Sequence, residues 1–170
     1  MTDVAGVEYN RNSAVRGQAV PVVAEMLIFD ERTHIKMDQV KALLSKDYYA
    51  KHSHIKLEDA GKGTARATMV IQQQHLNGVG TVQGGAIFTL ADTAFAAASN
   101  SHGTVAVAIN ANISFIKAVA SGTLTAWARE MSINPKIATY LVEVTDDSGD
   151  LVASFQGMVY RKRTPLNEML

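Results

Sequence analysis

One carboxylate stands alone in the most apolar part of this chain. Asp92 is the only ionisable residue between His75 and His102, and it lies in the largely apolar run 84–100. A helix that is apolar on every face belongs in a core, where a carboxylate is costly unless it is hydrogen-bonded, neutralised or put to use. The run therefore predicts a buried helix that carries a catalytic acid or base. A carboxylate that bonds a neighbouring strand is the structural alternative.

The start of the same run carries a second chemical feature, a pair of glycines. Gly84 and Gly85 follow Gln83, and the first N–H groups of a helix have no partner within it and lie at the positive end of its dipole. Without Cβ atoms, the glycines let a ligand carbonyl come close to the backbone, as an oxyanion site for acyl transfer requires. Close packing of the helix on a sheet is the structural alternative.

Three segments carry a resemblance to a known family. They are His75-Leu76-Asn77-Gly78, Gln83-Gly84-Gly85 and Leu90-Ala91-Asp92-Thr93-Ala94-Phe95-Ala96. In their spacing they resemble the signature of the hotdog-fold acyl-CoA thioesterases of the phenylacetate-pathway (PaaI-like) group, and the similarity extends from about Asp38 to Tyr160. The resemblance implies an α+β hotdog fold, with an antiparallel sheet wrapped around a long central helix. It also implies hydrolysis of a small or medium acyl-CoA, aromatic acyl groups included, with coenzyme A as part of the substrate and no cofactor.

The resemblance further implies roles for single residues. Asp92 would be the nucleophile or the general base for water. Gly85, or its neighbour Gly84, would polarise the thioester carbonyl through its N–H. Asn77 would help to place substrate or water, although Asn-Gly is also a common turn pair. Where the family commonly has His this chain has Gln83, whose amide forms hydrogen bonds but takes up no proton at neutral pH; we expect it to position the substrate, so that its loss weakens activity.

The separation of Gly84 from Asp92 predicts an oligomer. Eight residues of helix span about 12 Å, whereas oxyanion donors and a nucleophile must lie within about 3 Å of one thioester group. Two chains with antiparallel central helices would bring the glycine end of one chain to Asp92 of the other, forming two equivalent sites. The resemblance implies the same homodimer, usually as a dimer of such dimers.

Further substrate contacts are predicted after the helix. In the strand-like segment 104–116 three polar residues share one face: Asn110, Asn112 and Ser114. These side chains either border the ligand or lie in water. The apolar residues expected on the opposite face are Val107, Ile109, Ala111, Ile113 and Phe115. Lys117 and the basic group 161–163 either meet the phosphates of coenzyme A or lie in water. The residues expected to line the acyl pocket are Ile87, Phe88, Leu90 and those of the helix near 38–49.

The elements that must position these residues follow from hydrophobic periodicity and turn signals. Residues 1–37 are interpreted as a tail or arm, with a strand or packed arm over 20–29, residues 38–163 as one hotdog domain and 164–170 as a C-terminal tail. Helices are predicted from Asp38 to about Ala50 and over 84–100. Strands are predicted over 55–57, 64–72, 104–116, 122–132, 137–145 and 151–161.

Composition excludes several classes of function. The chain of 170 residues has 16 basic and 16 acidic residues and a formal net charge of zero, so no overall field favours nucleic acid or an acidic membrane. Cysteine is absent, which excludes disulfides and thiolate nucleophiles and is compatible with a reducing cytosol. No signal-type or membrane-length apolar run is present, so a cytoplasmic location is expected. His52 and His54 lack a third ligand at usable spacing, so we expect no metal site.

Two other classes of function stay open. A noncatalytic acyl-CoA-binding protein on the same fold would account for Gln83, but regulators of that type carry a DNA-binding module, and residues 1–37 are too short and insufficiently basic for one. A dehydratase on this fold would need a paired Asp and His, and no His lies near Asp92 in the sequence. A serine hydrolase is disfavoured because no Gly-x-Ser-x-Gly elbow is present.

Overall fold

The computed structural model describes residues 31–170, in which one long helix packs against a six-stranded antiparallel sheet. The helices are α1 (Glu31–Leu44), α2 (Tyr48–His52) and α3 (Gly84–Asn100). The strands are β1 (Ile55–Gly61), β2 (Thr64–Val70), β3 (Thr104–Phe115), β4 (Thr123–Ile133), β5 (Ile137–Thr145) and β6 (Leu151–Pro165). The sheet order is β1-β2-β4-β5-β6-β3, so β1 and β3 are the edges. This is the arrangement expected from the sequence.

Helix α3 forms the centre of the core. Ten of its 17 residues are buried, most of them alanine or another small residue. Small side chains let the helix lie close to the sheet: a Cβ placed on Gly157 of β6 would be 2.6 Å from the ring of Phe95 on α3. That ring packs in turn against Tyr140 and Phe155, each with ring centroids 5.5 Å away. The apolar run of the sequence is therefore buried, as predicted.

The helix predicted from Asp38 to about Ala50 is two helices. Helix α1 ends at Leu44, and α2 begins at Tyr48 after Asp47, whose carboxylate accepts the N–H of Ala50 at 2.9 Å. An aspartate that caps a new helix competes with continuation of the old one. The helical spacing of apolar residues hence runs across a break that periodicity alone does not reveal.

A β-bulge in β3 changes the predicted alternation of side chains. Ile109 is an extra residue relative to β6. Val107, before the bulge, lies on the outer face of the sheet, whereas Ala111, after it, lies on the face toward α3. The prediction that the apolar residues of this segment share one face is wrong, because one inserted residue reverses the alternation. The polar residues come after the bulge and share the outer face, as predicted.

The carboxyl end of the chain packs on the domain. Strand β6 continues to Pro165, and Leu166 is buried in the core. Residues 1–30 of the tail or arm predicted over 1–37, including the strand or packed arm over 20–29, lie outside the described residues, whereas residues 31–37 belong to α1. No helix within residues 31–170 combines the length and the apolar character needed to cross a bilayer.

Candidate active site

Gln83 caps the amino terminus of α3. Its Oε1 accepts hydrogen bonds from the backbone N–H of Gly85 and, at 3.2 Å, from that of Ala86. The backbone of Gln83 is extended, with φ −66° and ψ 134°, as is usual for the residue that precedes a helix. The N–H expected to polarise a thioester carbonyl is thus donated to a side chain of the same protomer.

Asn77 closes the loop that leads into α3. Its Oδ1 accepts the N–H groups of Val79 at 3.0 Å and Thr81 at 3.2 Å, and its Nδ2 donates to Thr81 Oγ1 at 2.9 Å. The N–H of Gln83 donates to the carbonyl of His75 at 2.8 Å and ties the loop to the helix start. The structure therefore brings Asn77 and Gln83 to one end of α3, with the Asn77 amide engaged in the loop.

A cleft of about 290 Å³ opens beside Gly84. Its lining residues are Thr81, Val82, Gly84, Ile87, Phe115, Ile116, Lys117 and Ala118. A Cβ on Gly84 would lie 3.0 Å from Cζ of Phe115, so the missing side chain leaves room for that ring against the helix start. Most of this wall is apolar, which suits the uncharged part of a ligand next to the glycines.

Asp92 lies in the middle of α3 and is partly buried. Burial raises the pKa of its carboxyl group, and the negative charge of Asp47 raises this pKa further. Within residues 37–170 the carboxylate makes no hydrogen bond, and the raised pKa reflects desolvation and a like charge. A carboxylate in such surroundings is suited to act as a general base or a nucleophile.

A second cleft, of about 240 Å³, lies against the part of α3 next to Asp92. Its lining residues are Lys41, Leu44, Ser45, Ala50, Lys51, Ile55, Lys56, Leu57 and Thr93. The walls come from α1, α2, β1 and α3, and the three lysines are exposed. Lys41, Leu44 and Ser45 lie in the segment 38–49, which was expected to border a pocket.

The glycine end and the carboxylate do not meet within one protomer. Gly84 and Asp92 lie on one continuous helix, and eight residues of α-helix advance about 12 Å along its axis. The two clefts correspondingly share no lining residue. One described protomer therefore keeps the glycine end of α3 apart from Asp92, and Asp92 itself lines neither cleft.

The remaining predicted contacts lie on β3 and just after it. Asn110 and Asn112 are exposed on the outer face of this edge strand. Lys117 lines the cleft beside Gly84, and its Nζ forms ion pairs with Asp146 at 2.5 Å and Asp150 at 2.6 Å. The structure brings Lys117, but not the two asparagines, to the glycine end of the protomer.

One part of the predicted acyl pocket is wrong. Leu90 is fully buried in the protein core, and Phe88 packs against Phe155 with ring centroids 5.4 Å apart. Of the three α3 residues expected to line a pocket, Ile87 lines the cleft beside Gly84. Leu90 is covered by the strands, so its assignment to the pocket is the part that is wrong, whereas Phe88 is half-buried and its place in the pocket stays a prediction.

Sequence reasoning missed two residues of the site, Asp47 and Phe115. The charge of Asp47, at the start of α2, acts on Asp92 because α2 packs against α3, and no local pattern reveals this relationship. In the sequence, Asp47 could have been identified as the capping residue of a helix that begins at Tyr48. Phe115 was expected only as an alternating strand residue, and its contact with Gly84 joins two segments that are far apart in sequence.

Comparisons with known proteins show the family to which the chain is similar. The model of the family described as the thioesterase superfamily matches residues 79–153. A proposed esterase of Archaeoglobus fulgidus is 42% identical over 68% of this chain and 80% of the relative. Acyl-coenzyme A thioesterase PaaI of Escherichia coli is 35% identical over 76% of this chain and 93% of the relative.

A solved structure shows the same fold. The E. coli PaaI protein superposes with a TM-score of 0.75 at 34% identity, covering 78% of this chain and 97% of the other. The chain therefore belongs to the thioesterase superfamily, within the PaaI-like group of hotdog-fold thioester hydrolases.

Proposed function

We propose that this protein hydrolyses small or medium acyl-CoA thioesters, including aromatic ones, to the free acid and coenzyme A. The observation that carries the proposal is Asp92, a partly buried carboxylate of raised pKa, on the helix whose first turn offers glycine N–H groups beside an apolar cleft. The relationship to E. coli acyl-coenzyme A thioesterase PaaI supports acyl-CoA as the substrate. A cytoplasmic location fits such a substrate and the absence of cysteine.

In the proposed mechanism the N–H of Gly85 binds the thioester carbonyl oxygen, assisted by the dipole of α3. Asp92 of the partner chain either attacks the carbonyl carbon or takes a proton from water, whose oxygen then attacks. The tetrahedral intermediate collapses as the C–S bond breaks and the thiolate of coenzyme A leaves. Attack by water gives the free acid directly, whereas attack by Asp92 gives an acyl–Asp92 anhydride, which water then cleaves to the free acid and the Asp92 carboxylate. A thiolate is a good leaving group, so no strong general acid is needed, and no cofactor takes part.

We propose that the complete site forms between two chains. Helix α3 separates its glycine end from Asp92, and β3 is an edge of the sheet formed by residues 31–170. On this strand Val107 is 45% and Ile109 55% exposed within that part of the chain, and an apolar edge strand favours pairing with another strand. Pairing of two β3 edges about a two-fold axis would set the central helices antiparallel. A dimer of such dimers is an extension of this proposal.

The remaining assignments are contributions to substrate binding. Asn77 and Gly84 belong to the end of α3 that would hold the thioester, with Asn77 keeping the loop in place. Asn110 and Asn112 would contact substrate only from the dimer edge. Lys117 would meet a phosphate of coenzyme A by exchanging its exposed partner Asp150 for it.

A second function is favoured by the cap on α3. Because Gln83 already accepts the N–H of Gly85, the protein could bind acyl-CoA without presenting this donor to the carbonyl, as a noncatalytic binding protein would. The two functions differ in one measurable property, turnover of bound thioester.

Hydrolysis of a panel of acyl-CoA thioesters by the wild-type protein tests the proposal. The panel contains short-chain, medium-chain and aromatic acyl groups, and released thiol is measured together with binding of each compound. Catalytic turnover of at least one class supports the enzyme. Binding without thiol release in every class would contradict it and favour the binding protein.

A further inference from the structure

Gln83 is an unusual residue to cap a helix. Ser, Thr, Asp and Asn are the favoured capping residues because their short side chains reach the first N–H groups without extra rotatable bonds. The longer side chain of Gln83 folds back so that Oε1 meets the N–H groups of Gly85 and Ala86. The contact is close enough that a Cβ on Gly85 would lie 2.6 Å from that oxygen. The cap is therefore formed, but by a side chain with more freedom to leave.

The same N–H cannot serve the cap and a substrate fully at one time. In the proposed mechanism the thioester carbonyl oxygen needs the N–H of Gly85, which now points to Oε1 of Gln83. A backbone N–H is one donor, so the carbonyl and the glutamine compete for it. Binding of substrate must displace the glutamine amide or share a weakened bond with it.

The surroundings of Gln83 permit this displacement. The residue is exposed, so its side chain can rotate into water without repacking the core. Within residues 37–170 its Nε2 forms no hydrogen bond, so in this part of the chain the two bonds to the helix start are the contacts that hold the amide there. The backbone of Gln83 stays anchored through the bond from its N–H to His75, which leaves the side chain as the moving part.

We propose that Gln83 is a displaceable cap, which satisfies the first N–H groups of α3 in the empty site and yields the N–H of Gly85 to the substrate carbonyl. This rests on the proposed thioesterase function. Gln83 is then a positioning residue that governs substrate affinity. From the sequence, loss of its side chain is expected to weaken activity; the displaceable cap predicts instead that this loss strengthens binding of the substrate carbonyl.

A series of substitutions at this position separates the proposal from a purely structural cap. Gln83→Ala removes the competitor and should lower KM about fivefold, comparable to the net effect of one hydrogen bond, with little change in kcat. Gln83→Asn supplies a tighter cap and should raise KM. The tighter cap should weaken substrate binding but stabilise the protein. Gln83→Asn should therefore unfold at a higher temperature than Gln83→Ala, because capping stabilises the helix. Gln73→Ala, an exposed glutamine in the preceding loop, is the matched control and should leave KM unchanged.

Binding of two unreactive analogues tests the same idea without turnover. One analogue replaces the thioester sulfur by CH₂ and keeps the carbonyl; the other is a thioether without the carbonyl. Gln83→Ala should tighten the ketone about fivefold and leave the thioether unchanged. Equal effects on both analogues, or weaker ketone binding, would overturn the displaceable cap. If wild-type protein hydrolyses no thioester while the ketone shows the expected gain, the proposed enzyme fails and the cap stands.

Discussion

Asp47 and Asp92 lie within electrostatic range of each other, one at the start of α2 and the other in the middle of α3, and the charge of Asp47 adds to burial in raising the pKa of Asp92. The two carboxylates have different tasks. Asp47 is bound to the N–H of Ala50 as a helix cap, whereas Asp92 is the proposed base or nucleophile. A helix-capping carboxylate thus raises the pKa of the group proposed to act in catalysis.

This pair predicts how activity depends on pH. Asp92 must be ionised to act, so turnover rises with pH through its pKa. Asp47→Asn removes the like charge and keeps a good capping residue, so the acidic limb of the kcat/KM profile should move to lower pH. Asp59→Asn, an exposed aspartate on β1, is the control. A limb that stays in place in Asp47→Asn would contradict an electrostatic role for Asp47.

The raised pKa of Asp92 also predicts a cost in stability. The folded pKa lies above the unfolded one, so the stabilisation is complete below the unfolded pKa and is lost as pH rises through the folded pKa. The ionised carboxylate therefore destabilises the fold relative to the protonated one. Asp92→Asn should unfold at a higher temperature than wild type at pH 7, and the gain should shrink as pH falls. A lower unfolding temperature at pH 7 would show that Asp92 has a structural role instead.

Close packing between α3 and the sheet predicts a large effect at Gly157. A Cβ there would lie 2.6 Å from Phe95 and 2.9 Å from Phe155, and both rings are buried. Gly157→Ala should lower the free energy of unfolding by about 1–3 kcal/mol through overpacking. Gly78→Ala meets nothing within 4 Å and serves as the control in denaturant unfolding. Equal stabilities of the two variants would mean that the core relaxes around the added methyl group.

The central features of the fold were predictable because they depend on local composition. The run 84–100 is too apolar to be exposed and too long for a strand, and the glycines at its start mark the end of the helix at which backbone N–H groups have no partner within the helix. Asp92 was detectable as the exception within that run. Each of these inferences uses residues that are neighbours in sequence, and the structure places them as expected.

The features that sequence did not reveal depend on contacts between distant segments or on one inserted residue. Asp47 acts on Asp92 because α2 packs on α3, and Phe115 meets Gly84 at the end of another strand. The bulge at Ile109 reverses an alternation that looked regular. The hydrogen bond from the N–H of Gly85 to Oε1 of Gln83 joins residues that are close in sequence. Residue types alone, however, do not show which acceptor binds the N–H at a helix start.

Composite sites predict complementation between inactive chains. An Asp92→Asn chain keeps its glycine end, and an Asn77→Ala, Gly85→Pro chain keeps Asp92 but lacks the Gly85 N–H. Random mixing makes about half the dimers mixed, each with one intact site, so about a quarter of wild-type activity should return. Each variant alone is the control. No recovery in a sample shown by mass spectrometry to contain mixed dimers would refute a site shared between chains.

The most direct test of the account is the turnover of acyl-CoA by Asp92→Asn. The amide keeps the size and hydrogen-bonding capacity of the carboxylate but is neither a base nor an effective nucleophile. With the fold verified by circular dichroism and thermal unfolding, kcat for the best thioester should fall at least about a hundredfold, while binding of the ketone analogue is retained. Near-native turnover by the correctly folded variant would contradict the assignment of Asp92 and the mechanism built on it.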